Sequence, residues 1–363
     1  MIGVENFADL YTDYLISSTA MVTATGFSEL MHGSISHDKI TRHLSKGNYD
    51  SRYLWKKVKP MLGELRCSDD ISVLCIDDSI EEKRYTDESE LISWHYDHTV
   101  NRSVKGVNFI TALINTRGVS LPCAVEFVRK DLETVDPKTG KKKRKSSKTK
   151  NELYRQMLLT CHRNADFDYV LNDSWYSSVE NMQLIKQQLN CNFIMALKSN
   201  RRVALSLEDK EQDKYIGIKL LEPEQQPVEI WLEELDFPLL LTKQVFKNGD
   251  DAEGVLYLVS SDLTLSYEQI ATIYKRRWSV ETYHKSVKSN GSFAKSPTKT
   301  IQTQTNHFML SILAYVKLEW LQLRNNLNHF ALKTKIYISA LEMGMNELKR
   351  LSTPQPQRTS LKS

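Results

Sequence analysis

The chain has little net charge, no close cysteine pair and no long apolar run, and each lack removes a class of protein. Basic residues number 49 and acidic residues 45 among 363, a formal net charge of +4. The five cysteines, Cys67, Cys75, Cys123, Cys161 and Cys191, are odd in number and widely spaced, without a C-x-x-C pair. That argues against a disulfide scaffold or a zinc ribbon and fits a reducing compartment. No apolar stretch approaches the ~18 residues that a membrane-spanning helix needs. The longest, Phe308 to Val316, has nine residues and contains a serine. Glu5 and Asp9 do not suit a secretory leader, and no internal repeat is evident. The expectation is a cytoplasmic globular protein, long enough for two or three domains at ~150 residues each.

The charge that is present is concentrated. Eight Lys and Arg with no acid lie between Lys138 and Lys150, which leaves the other 350 residues at a net −4. Before this run, residues 1–66 read as helical. Ser36 caps a short helix carrying Ile40 and Leu44, with Ile35 before the cap as a hydrophobic staple. A second helix follows through Tyr53, Leu54, Val58 and Met61. Their basic residues, among them Lys39, Arg42, Lys46 and Lys57, suit either a small DNA-binding bundle or an ordinary helical domain with a wet basic face.

From residue 67 the pattern changes to strands. Ile71 to Asp77 is a short apolar run ending in acids; Val107–Asn115 and Val119–Val128 look like two more strands joined at Arg117-Gly118. The basic run, opened by Asp136-Pro137 and containing Gly140, reads as a mobile loop. A helix through Leu153, Met157 and Leu158 leads to a strand over Phe167–Leu171, ending at Asn172-Asp173. Ser174 is expected to cap a helix with Val179, Met182, Ile185 and Leu189 inward, before a fifth strand over Phe193–Leu197. Such an order describes an α/β mixed sheet with helices on its faces, spanning 67–200. Residues 201–264 break into short β-like pieces between turn signals, including Asn248-Gly249, and read as a β-rich insertion. A long helix then opens at Ser266, with Gln269 three residues on, and runs to about Ser289 within a segment 265–325. A C-terminal helix and tail occupy 326–363.

Two acids fall at predicted strand ends, Asp77 (beside Asp78) and Asp173. A third, Glu281, lies on the long helix. At about 100° per residue, Glu281 and Lys288 fall roughly 40° and 20° from Arg277, and Tyr274 roughly 60° from it. One stripe therefore holds a carboxylate among cations where a plain amphipathic helix would place aliphatics. Carboxylates converging from separate elements suit divalent metal, and two ions ~3.5–4 Å apart serve in-line phosphoryl transfer. The spacing alone leaves plainer roles open: turn or cap residues for the aspartates, a surface ion pair for Glu281.

The spacing Tyr274-x2-Arg277-x3-Glu281-x6-Lys288 resembles the Y-R-E-K signature of bacterial cut-and-paste insertion-sequence transposases of the DDE type. The flanks Arg277-Trp278, Val280-Glu281 and His284-Lys285 match as well. Asp77-Asp-Ser79 looks like that family's first acidic motif, and Asp173-Ser-Trp-Tyr176 like its second. The register prefers Asp77, because Ser79 then takes the third place, with Asp78 as the alternative. The resemblance covers roughly residues 70–325. It implies a ribonuclease H-like core holding two Mg²⁺ ions, with Mn²⁺ able to substitute, between Asp77, Asp173 and Glu281. It also implies a β-rich insertion between the second Asp and the Glu, here 108 residues apart. Tyr274, Arg277, Lys285 and Lys288 would hold phosphates. Trp231 is a candidate to stack on a flipped base, although packing in a sheet is the commoner role of such an aromatic, and Trp278 is open in the same way. The activity implied is binding of terminal inverted repeats, cleavage and joining to target DNA, by a homodimer on DNA. Whether a hairpin intermediate forms stays open.

Lys142, Lys143 and Arg144 are expected to contact DNA phosphates, although a solvated loop or a nuclear-localisation-like patch fits the same run. His95 and His98 have no cysteine partners and are expected to be packing or surface residues. Two rivals accompany the transposase expectation: a Mg²⁺ nuclease that cuts without joining, and a catalytically silent DNA-binding derivative.

Overall fold

The computed structural model describes residues 4–65, 70–137, 139–221, 226–247 and 253–352. Four helices come first: α1 (Val4–Ser17), α2 (Ala24–Leu30), α3 (His37–Lys46) and α4 (Ser51–Leu65). In α3 the Ser36 side chain accepts from the Lys39 N–H, and Ile35 and Ile40 are both buried, so cap and staple form as their spacing requires.

Strands β1 (Val73–Glu82), β2 (Ser93–Asp97), β3 (Arg102–Thr116) and β4 (Val119–Phe127) follow, then β5 (Leu132–Val135), β6 (Lys142–Lys145) and α5 (Lys150–Asn164). Next come β7 (Tyr169–Asn172), α6 (Val179–Gln183), β8 (Asn192–Leu197), β9 (Arg202–Val203), α7 (Leu207–Glu211) and β10 (Ile216–Gly217). Strands β11 (Val228–Ile230), β12 (Leu239–Lys247) and β13 (Glu253–Ser260) precede α8 (Tyr267–Lys275), α9 (Ser279–Asn290), α10 (Ile301–Asn325) and α11 (His329–Ser352).

The main sheet runs β11-β12-β13-β8-β7-β1-β3-β2, with β4 also on β3. Strand β7 is parallel to both β1 and β8, whereas β3 and β13 run antiparallel to their neighbours. This is the mixed sheet of a ribonuclease H-like fold, with α5 on one face and α8, α9 and α10 on the other. The free edge of β4 is closed by α4: the Ser51 hydroxyl donates to the Val125 carbonyl at 2.8 Å and accepts its N–H at 2.9 Å. The β-rich stretch extends the same sheet, since β13 pairs with β8 from Tyr257↔Leu197 to Ser260↔Ile194. The expected Asn248-Gly249 turn lies outside the described residues.

Helix α10 is the hub for the N-terminal helices. The Asn306 amide donates to the carbonyls of Leu44 (2.7 Å) and Gly47 (2.8 Å), and its oxygen accepts from the Tyr49 N–H. The Tyr11 hydroxyl of α1 meets His307 Nδ1 at 3.1 Å.

Three local expectations change. The basic run is not a loop: β5 and β6 pair from Leu132↔Lys145 to Val135↔Lys142. Gly140, at φ +67°, closes the turn by donating to the Asp136 carbonyl, a left-handed backbone that favours glycine. Helix α6 is capped by Ser178 rather than Ser174, because Asp173 already accepts the N–H groups of Trp175 and Tyr176 and so delays helix entry. The helix after Ser266 forms with its Gln269 capping box, but a 3₁₀ turn over Arg276–Trp278 divides it into α8 and α9.

Candidate active site

Strand β1 does not end at Asp77; it stays paired with β3 through Glu82. What ends early is its parallel ladder with β7, which covers Val73 to Cys75 only. Asp77 lies two residues beyond, and Asp173 directly follows the last residue of β7. Both carboxylates therefore stand at the carboxyl ends of neighbouring parallel strands, where an open sheet offers a crevice.

Strand alternation then separates the two candidates for the first acid. Asp77 lies opposite Thr111, whose hydroxyl donates to the Tyr283 hydroxyl of α9 at 3.3 Å, so this face looks toward the Glu281 helix. Asp78 points to the other face. There it pairs with Lys150 Nζ at 2.6 Å and accepts from the Tyr176 hydroxyl at 2.9 Å.

Burial first, and then the nearby Asp173 and Asp78 carboxylates, together push the Asp77 carboxyl up to about 8, against the opposing pull of the Asp78 N–H at 2.8 Å and Arg277. Asp173 is also raised, chiefly by burial, while the N–H groups of Trp175 (3.0 Å) and Tyr176 (3.4 Å) on its Oδ1 oppose the rise. Two half-buried carboxylates that each resist ionisation are a pair whose charge a cation would relieve, and an all-oxygen donor set suits a hard divalent ion.

Glu281 is held by Arg277. Its Oε1 lies 2.7 Å from Arg277 Nη2, and Arg277 Nη1 lies 3.8 Å from Asp77 Oδ2. The guanidinium thus occupies the space between Asp77 and Glu281, over the rings of Tyr274 (5.8 Å) and Trp278 (6.0 Å). Among the described residues no three His, Cys, Asp or Glu side chains come close enough together to hold a metal. By chemistry the donor set, two carboxylates with a third held by Arg277, is the all-oxygen kind that suits a hard divalent ion.

The rest of the helix stripe spreads out, because the 3₁₀ turn interrupts the helical angle. Tyr274 is buried, and its hydroxyl donates to the Asn172 carbonyl at 3.1 Å, the residue before Asp173. Lys288 Nζ donates to the Ile80 carbonyl at 2.6 Å and lies 3.5 Å from Glu81 Oε2. Lys285 is exposed and sits over the Phe330 ring at 5.3 Å, and Trp278 is largely exposed. Trp231 is half-buried: its backbone bridges to Ala204, and Lys210 Nζ lies 5.6 Å from its ring. On the basic hairpin Arg144 pairs with Glu133 (2.6 Å) and Lys143 approaches Asp136 (3.8 Å), while Lys142 is exposed. His95 is buried in β2, where burial holds its imidazole down at about 3, and His98 stands on the surface.

In the sequence Trp175 stands only as the aromatic of the second acidic motif and Lys150 only as the end of the basic run, and Lys198 carries no signal.

Comparison with known families accords with this arrangement. A model described as DDE superfamily endonuclease matches residues 5–225, and one described as Transposase DDE domain matches residues 136–317. The first match contains Asp77 and Asp173, the second Asp173 and Glu281. The chain belongs to the DDE transposase and endonuclease family, enzymes that act on DNA and generally depend on divalent metal. No curated protein matches the chain. Among the described residues no helix is long and apolar enough to cross a membrane.

Proposed function

We propose that the chain is an insertion-sequence transposase carrying the Y-R-E-K signature, with Asp77, Asp173 and Glu281 as its catalytic triad. It binds the terminal inverted repeats of its element, cleaves there with Mg²⁺, and joins the freed 3′-hydroxyl to target DNA as a homodimer. The observation that carries this reading is the pair of raised carboxylates, Asp77 and Asp173, with Arg277 reaching both Asp77 and Glu281.

Asp77 and Asp173 would hold the cation, with Glu281 completing the donor set. A bound Mg²⁺ supplies activation of the attacking oxygen and stabilises the leaving oxygen in phosphoryl transfer. Arg277, released from Glu281, becomes a fork for non-bridging phosphate oxygens. Lys285 and Lys288 add positive charge along the same helix, and the β5–β6 hairpin adds it farther out. Tyr274 holds the end of β7, and with it the backbone that delivers Asp173.

The test is cleavage of a labelled duplex carrying the DNA that flanks the gene, with Mg²⁺, by wild type and Glu281→Ala. Metal-dependent nicking at the end, lost in Glu281→Ala while binding persists, is the expected result. Tight binding with no cut by the wild type overturns it in favour of a silent DNA-binding derivative. Cutting with no joined product from a pre-cleaved end reduces it to a nuclease.

A further inference from the structure

Beside Asp173 lies a groove of about 540 Å³ that the chemistry above leaves unused. Its lining includes Ser174 and Trp175, the cations Lys198 and Arg201, and the acids Glu233 and Glu234. Trp175 is 46% exposed, a large apolar ring left open to water next to a catalytic candidate. Its surroundings are not those of a stray surface residue. The ammoniums of Lys150 and Lys198 lie 5.6 and 5.5 Å from the ring centroid. His98 lies at 5.7 Å and itself contacts the half-exposed Tyr96 at 4.9 Å. A row of rings, Tyr96, His98 and Trp175, therefore leads to the groove with cations alongside.

The platform is tied to the site. The Trp175 N–H donates to Asp173 Oδ1, and the Lys150 ammonium that faces the ring also holds Asp78. Arg201 is anchored through its Nη2 to the Ser177 carbonyl at 3.2 Å, which keeps it at the groove wall.

An exposed ring flanked by cations matches a nucleotide: the base stacks on the ring and the phosphate meets the cations. Within a duplex the base faces are covered by their neighbours, so only an unpaired nucleotide offers one to Trp175. Glu233 and Glu234 in the same lining repel phosphate, so the backbone is drawn to Lys198 and Arg201. We propose that this groove binds unpaired nucleotides of the strand leaving the cleavage site, with Trp175 as the stacking platform and Lys198 and Arg201 on the phosphates. The proposal rests on the DNA-processing function argued above.

The probes are a blunt duplex and the same duplex with a single-stranded oligothymidine flank, with affinities read by fluorescence anisotropy. Wild type should prefer the flanked form by about tenfold, the range that one base–aromatic stack supplies. Trp175→Ala should abolish that preference and leave the blunt-duplex affinity unchanged, whereas Trp175→Phe keeps most of it. Lys198→Ala should flatten the salt dependence for the flanked probe alone. Circular dichroism melting monitors the fold; if Trp175→Ala unfolds, Trp175→Phe and Lys198→Ala carry the test. The absence of any flank preference in the wild type, or an equal loss on both probes, overturns the proposal. Cleavage is scored separately. A flank preference without cleavage leaves the groove standing and removes the transposase function; cleavage without a flank preference does the reverse.

Discussion

Arg277 holds Glu281: its Nη2 lies 2.7 Å from Glu281 Oε1, while its Nη1 reaches to 3.8 Å from Asp77 Oδ2. A cation that takes Glu281 as a ligand must displace this guanidinium. Arg277→Gln is therefore expected to bind Mg²⁺ at lower concentration than wild type in the absence of DNA, and Glu281→Gln at higher concentration. Isothermal titration calorimetry reads both signs; unchanged affinity in both variants would place the metal elsewhere.

The Asp77 carboxyl makes stability depend on pH when no metal is bound. Unfolded, it gives up its proton near the ordinary value of 3.8; folded, only at about 8. Between those values the folded state carries the extra proton, so each rise in pH lowers stability, and the loss is complete once pH passes about 8. Melting in EDTA should therefore give a lower Tm at pH 8 than at pH 5, with a smaller difference in Asp77→Asn. Adding Mg²⁺ at pH 8 should restore Tm in wild type and not in Asp77→Asn.

Tyr274→Phe removes the donor to the Asn172 carbonyl and leaves a buried acceptor unmet, a cost of about 1–3 kcal/mol. The expected phenotype is a lower Tm and slower cleavage with an unchanged dissociation constant for DNA. Weaker DNA binding at an unchanged Tm would instead make Tyr274 a phosphate contact.

The β5–β6 hairpin is expected to act without regard to sequence. Replacing Lys142, Lys143 and Arg144 with Ala should weaken binding to all duplexes alike. It should also reduce the slope of log K against log salt by at most about 2.7, at ~0.9 per phosphate contact. Titrations at several salt concentrations on two unrelated sequences measure both.

Much of this architecture is legible in residue patterns. The alternation and length of the apolar runs mark β1, β3, β4, β7 and β8, and Ser36 and Ser266 announce their helices because capping is local chemistry. What is not legible depends on partners distant in sequence. That β13 joins β8 is settled by packing, and β2 is too short and polar to stand out. The side-chain angles around Arg277 shift because three residues tighten to a 3₁₀ turn, which turns Tyr274 inward. Asp78 stays the alternative to Asp77 until Lys150, 72 residues away, claims it. The exposure of Trp175 is invisible for the same reason: the groove it lines is completed by residues from Lys198 to Arg202, distant in sequence.

The bonds from Asn306 to Leu44 and Gly47 give the molecule a fixed gauge. Helix α3, with Lys39, Arg42 and Lys46 exposed, is fastened to α10, which packs against the helix bearing Glu281. A DNA segment gripped by α3 would be presented to Asp77 at one set distance, so the protein would count base pairs, each ~3.4 Å along the helix axis, as a ruler does.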